Sequence, residues 1–153
     1  MLGLKSIHSI AAALFCACLV TAPAHAHAQN INFGNNSSEY ANDGECDDRR
    51  FIGVGMAKDL DEDDNFRDAN DCRDAYRDGR AKLWRLENAR AATQCSAIRF
   101  GNNSSEWSRD GECDDFRFEG PGMSSVVKSE DIGRDAADCK KLCNAKQIFL
   151  RDY

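Results

Sequence analysis

The hydrophobic and polar pattern beyond residue 28 is one of short elements. Ile31-Asn32-Phe33 and Ile98-Arg99-Phe100 alternate apolar and polar side chains, which predicts two short edge strands. The Asn, Ser, Asp and Gly residues that follow each are turn formers, so the acidic runs Asp43-Gly44-Glu45-Cys46-Asp47-Asp48 and Asp110-Gly111-Glu112-Cys113-Asp114-Asp115 are placed on loops. Asp68 and Asp135 stand where N-caps belong, and predict short helices from about Ala69 to Arg77 and from about Ala136 to Asn144. Gly79 ends the first. Residues 81–86 correspond to Ile148-Phe149-Leu150, whose β-prone side chains predict a strand in both; a helix over 81–92 competes, given its alanines, arginines and Glu87.

These elements occur twice. Residues 31–72 and 98–139 align without a gap, 67 positions apart, and 25 of the 42 positions are identical. The shared block runs from Phe-Gly-Asn-Asn-Ser-Ser-Glu through an aromatic (Tyr40, Trp107), the acidic hexapeptide and Arg-Phe to Gly-x-Gly-Met and Arg-Asp-Ala-x-Asp-Cys. Between Met56 and Arg67 the copies diverge. There only Asp64 and Asp131 match, and the segment reads as a loop whose charge the common chemistry does not need. The expected fold is a small, disulfide-rich α+β tandem repeat, each unit a short strand, acidic loop, short helix and short strand. Its parts are a first repeat at 29–84, a connection at 85–97 and a second repeat at 98–153, packed as one pseudo-symmetric unit.

The first 28 residues read as a cleaved export signal. Lys5 supplies the positive start, residues 10–20 the apolar run, and Ala24-His25-Ala26 and Ala26-His27-Ala28 small-x-small cleavage sites. Its removal takes one base and no acid, leaving 19 Lys and Arg against 26 Asp and Glu, about −7. Such a charge disfavours nucleic acid and anionic membranes and suits cations or a basic protein partner. All three histidines lie in the signal, which removes the commonest general base and zinc ligand.

Eight cysteines become six without Cys16 and Cys18, an even count that reads as three disulfides in an oxidising, periplasmic or extracellular setting. Each copy holds one matched pair, so the duplication favours Cys46 with Cys72 and Cys113 with Cys139, leaving Cys95 for Cys143.

The chemistry lies in the acids. A Cys46–Cys72 bridge would bring Asp68 and Asp71 beside Asp43, Glu45, Asp47 and Asp48; in the second copy Asp135 and Asp138 would join Asp110, Glu112, Asp114 and Asp115. Four acids within six residues repel unless a cation sits among them. Calcium takes six to eight oxygen ligands, which carboxylates and loop carbonyls supply; another hard cation, including a trivalent lanthanide, fits an all-oxygen cage too. The opposing reading pairs the same acids with Arg50, Arg67, Arg117 and Arg134, which are also shared. Tyr40 and Trp107 are expected as core or lid aromatics.

The spacing is not that of an EF-hand. With Gly44 at loop position 6, position 3 would be Ala41 and position 12 Arg50; the second copy gives Ser108 and Arg117, so the bidentate Glu is missing from both. The grouping of an aromatic, Asp-Gly, cysteine and further acids resembles the calcium loop of LDL-receptor class A modules over about ten residues per copy, with too few cysteines per repeat for that module. Asp-Gly-Glu-Cys-Asp-Asp-x-Arg-Phe-x-Gly-x-Gly-Met followed by Asp-Ala-x-Asp-Cys resembles, over most of the chain after the signal, a repeat of small exported bacterial proteins; it implies an exported module and no activity.

Two classes of function follow. One is a calcium-stabilised binding or structural module with two acidic sites. The other is a disulfide-stapled inhibitor or immunity-type protein that presents an acidic surface, residues 59–64 foremost, to a basic partner. Without His, a Gly-x-Ser-x-Gly elbow or a free thiol, an enzyme is not expected.

Overall fold

The helices predicted from the capping positions are present as α1 (Ala69–Arg77) and α3 (Ala136–Asn144), and a third, α2 (Leu86–Ala92), lies between them. The computed structural model describes residues 30–153; the expected export signal lies outside the described residues. The fold is mixed α+β, and residues Ile31–Tyr153 form one unit. In α1 the buried residues Ala69, Cys72 and Ala75 recur every three positions, one face of a helix; in α3 the buried side chains include Cys139, Leu142 and Cys143. No helix among the described residues is long and apolar enough to cross a membrane.

Seven short strands complete the described fold: β1 (Phe51–Ile52), β2 (Asp59–Asp61), β3 (Lys82–Leu83), β4 (Cys113–Asp115), β5 (Phe118–Glu119), β6 (Met123–Lys128) and β7 (Phe149–Leu150). β1 pairs antiparallel with β3, and β5 with β7, at positions 67 apart: Phe51 faces Leu83, and Phe118 faces Leu150. Residues 81–92 therefore hold both candidates, a two-residue strand and then a helix. Asp59–Asp61 is not a loop. It is β2, an edge of the three-stranded sheet β2-β6-β4, and its Leu60 meets Val127 of β6, both nearly inaccessible to solvent. The acidic hexapeptide is a turn only in its first half. Cys113–Asp115 is β4, parallel to β6 with Cys113 opposite Met123, and Cys46 makes the matching isolated bridge to Met56.

The two edge strands expected at 31–33 and 98–100 do not form. Their backbone is engaged by side chains instead: the Gly34 N–H donates to Asn32 Oδ1, and Arg50 Nη1 donates to the Asn32 carbonyl. At the next position the chain turns through positive φ, with Gly34 so close to Phe66 that a Cβ would lie 1.9 Å from its carbonyl oxygen. Phe33 stacks on Phe51 at 5.5 Å, and Phe100 on Phe118 at 5.6 Å, so these segments hold on by ring contact rather than by a ladder.

Two hydrophobic clusters result, one around Cys46, Phe51, Leu60 and Cys72, the other around Cys113, Phe118, Cys139 and Ile148. The disulfides join Cys46 to Cys72, Cys113 to Cys139 and Cys95 to Cys143. Each 26-residue closure stabilises such a unit by about 3 kcal/mol in the chain-entropy treatment. Between the clusters, Arg49 and Arg151 converge on Glu119; Arg49 also donates to the carbonyls of Ser124 and Ser125, and Arg151 to that of Phe51. Both arginines are about 4% exposed, so their charges are answered by carboxylate and carbonyls rather than by water.

Candidate metal centre

The acidic turn is closed by the first turn of the following helix. Gly44 takes φ 98° and lets the chain double back, and Asp43 Oδ1 accepts from the Glu45 N–H. Asp71 Oδ2 accepts from the Asn42 and Asp43 N–H groups at 2.6 and 3.0 Å. Asp68 Oδ2 accepts from the Asp47 N–H at 2.8 Å. The second copy repeats the pattern: Asp138 takes the Gly111 N–H at 3.3 Å, and Asp135 takes the Asp114 N–H at 3.1 Å. Asp68 and Asp135 occupy the N-cap positions expected of them, but neither makes a side-chain cap bond to its own helix. Their carboxylates serve the acidic turn.

One oxygen of each central carboxylate then has nothing to meet. Asp47 Oδ2 and Asp68 Oδ1, with Asp114 Oδ2 and Asp135 Oδ1, are buried without a hydrogen-bond partner. The four residues are at most 5% exposed. Burial, then the charges of Asp43, Asp68, Asp64 and Glu45, push the Asp47 carboxyl up to about 7. Burial does most to push Asp68 up to about 6, with the charges of Asp71 and Asp43 adding to it and the Asp47 N–H opposing it. Asp114 is likewise raised to about 6 by burial and by Asp110, Asp135 and Asp131, against a hydrogen bond from Ser124; Asp135 is raised by burial foremost. An orphaned buried carboxylate oxygen is costly, and a cluster of them in mutual repulsion is the electrostatic setting that a cation relieves.

Two of the twelve candidate acids leave this set. Asp48 accepts from the backbone N–H and the guanidinium of Arg50 and from the Phe66 N–H; Asp115 accepts from Arg117 and the Gly133 N–H in the same way. Both their oxygens are consumed by a partner two residues along the chain, as the arginine reading expected. Arg67 and Arg134 answer no carboxylate in this way. They donate to Ser37 and Ser104 and to the Asp63 and Glu130 carbonyls. Asp43, Glu45, Asp110 and Glu112 are exposed on their turns.

Asp64 and Asp131 join the cluster without having been counted in it. Each is at most 9% exposed, at the end of the 3₁₀ turn that follows β2 or β6, and each bears on the central carboxylate of its copy. Their signal was present as the lone identity in an otherwise divergent segment.

Around the first cluster opens a cleft of about 750 Å³, lined by Asp43, Glu45, Asp47 and Asp64 and walled by Asp59, Asp61 and Asp63. Tyr40 borders it at 49% exposure, and Trp107 is 53% exposed beside a smaller hollow of about 230 Å³ in the second copy; neither ring belongs to the core.

Among the described residues, the groupings of three possible ligand side chains with atoms within 4.8 Å of one another are Cys46, Asp68 and Cys72, and Cys113, Asp135 and Cys139. Their sulfurs are bonded to each other as disulfides and are not thiolates, so neither is a soft-metal site. With no histidine in residues 30–153, the donors on offer are carboxylate and carbonyl oxygens, the set that calcium takes. No family model matches the chain, and neither a curated protein nor a solved structure is similar to it, so the functional reading rests on these residues.

Proposed function

We propose that the protein is an exported module that holds a hard cation, calcium in the first instance, among carboxylates its disulfides bring together, and that acts by binding rather than by catalysis. The observation that carries the reading is the pair of unpartnered oxygens on Asp47 and Asp68, buried in a nest of further carboxylates and built again at Asp114 and Asp135. Asp43 and Asp64, with Asp71 bracing the turn, complete the donor set in the first copy; Asp110, Asp131 and Asp138 hold the same places in the second. A bound divalent ion would lower the central carboxyls back toward their ionised state and fix the turn against the helix.

Export is supported by the signal-like first 28 residues and by three disulfides. The chain is read as two tandem units, 29–84 and 98–153, around the connection at 85–97. Native mass spectrometry of the processed protein tests the reading: calcium adducts that vanish with chelator are expected. A bare mass at saturating calcium contradicts it.

The alternative, an inhibitor or immunity-type protein, keeps one specific support, because Asp59, Asp61 and Asp63 all line the cleft. Their backbone is held in β2 and the turn after it rather than on a free loop, so the surface offered to a basic partner would be a preset one. Loss of a captured partner from the Asp61→Lys plus Asp63→Lys variant would favour it.

A further inference from the structure

The two acidic clusters share their central aspartates but differ in what surrounds them. Ala57 of the first copy is Ser124 in the second. Asp61 of the first copy is Lys128 in the second, and Asp59 is Val126. In the β2–β6 register Asp59 lies opposite Lys128 and Asp61 opposite Val126, so the divergent segments meet across one sheet. The consequences are unequal clefts. Eight acids and three bases line the first; three acids and two bases line the second, and Lys128 lines both. Asp47, 5% exposed and with Oδ2 unpartnered, lines its cleft, whereas Asp114 is not among the residues that line the smaller one.

We infer that the first copy alone is the open cation site, floored by Asp47 and walled by the acids of β2, while the second is a closed copy whose central Asp114 does not line its smaller hollow. The inference rests on the cation-binding reading above and narrows it to one ion per chain, entering beside Tyr40. The diverged segment, apart from its shared Asp64 and Asp131, is then what separates a site from its scaffold. A hard trivalent ion serves as the probe, because its ligand preferences are those of an oxygen cage and its emission is sensitised by a neighbouring aromatic ring. Tyr40 borders the first cleft and Trp107 the second, and replacing either leaves every carboxylate in place.

Terbium(III) is titrated into the disulfide-intact chain and its ring-sensitised emission compared among wild type, Tyr40→Phe and Trp107→Phe, with the stoichiometry read by native mass spectrometry. One ion, emission largely lost in Tyr40→Phe and retained in Trp107→Phe, is the expected result. Two ions of similar affinity, or loss confined to Trp107→Phe, overturns the inference and leaves the cation reading standing. No ion bound by wild type overturns both.

Discussion

The backbone N–H of Asp47 donates to Asp68 Oδ2 at 2.8 Å, one of the bonds that join the acidic turn to the start of the following helix. It leaves the other Asp68 oxygen buried with no donor of its own. Asp68→Asn keeps an acceptor for that N–H while removing a charge, so the metal-free protein should keep its fold and its calcium affinity should fall. Asp68→Ala instead orphans the buried N–H and should cost about 1–3 kcal/mol. Urea midpoints on chelated protein, beside calcium calorimetry, separate the two.

Arginine pairs of very different burial give a second prediction. The Asp48 side chain is 0% exposed and meets Arg50, so Arg50→Ala strands a buried carboxylate and should cost about 3–5 kcal/mol. Arg77, 69% exposed beside Asp74, should change stability by less than about 1 kcal/mol when replaced by Ala. Equal losses in chemical denaturation would contradict the assignment of Asp48 to structure.

Glycines at two positive-φ positions should respond unequally. A Cβ added at Gly44 would have nothing within 4 Å, so Gly44→Ala meets only the backbone cost of about 1–2 kcal/mol. At Gly34 the same carbon would fall 1.9 Å from the Phe66 carbonyl oxygen, and Gly34→Ala should be far the more damaging in a thermal melt.

The pH dependence of the metal-free protein has a definite sign. Burial and neighbouring carboxylates raise Asp47 to about 7 and Asp68 and Asp114 to about 6, from an ordinary value of 3.8. The native state then binds protons more tightly than the unfolded chain, so the contribution of these groups to stability is present below about pH 4 and is lost as pH rises through 6 to 7. Chelated protein should melt higher at pH 5 than at pH 7.5. Calcium should reverse that order, since protons and the ion compete for the same oxygens.

Local chemistry was legible in the sequence. Helix bounds fell where Asp68 and Asp135 stand, although neither side chain caps its helix; two disulfides followed from the matched spacing of the cysteines and the third from the pair left over. What escaped was settled by partners distant in sequence or by a single torsion. Asp59–Asp61 became a strand because Leu60 finds Val127 in the other copy, a register that no local pattern encodes. Ile31-Asn32-Phe33 failed as a strand because Gly34 turns the chain and Asn32 and Arg50 take its polar groups. Within the acidic run, composition could not separate Asp48 from Asp47: the first is answered by Arg50, while the second keeps a buried oxygen that nothing answers.

Melting of the disulfide-intact chain at pH 7.5, with chelator and then with excess calcium, is the most direct test. A ligand at 100 times its dissociation constant stabilises by about 2.7 kcal/mol, so the transition should rise by several degrees in wild type and not in Asp47→Asn. An unchanged transition in wild type would mean that the orphaned oxygens of Asp47 and Asp68 hold no ion.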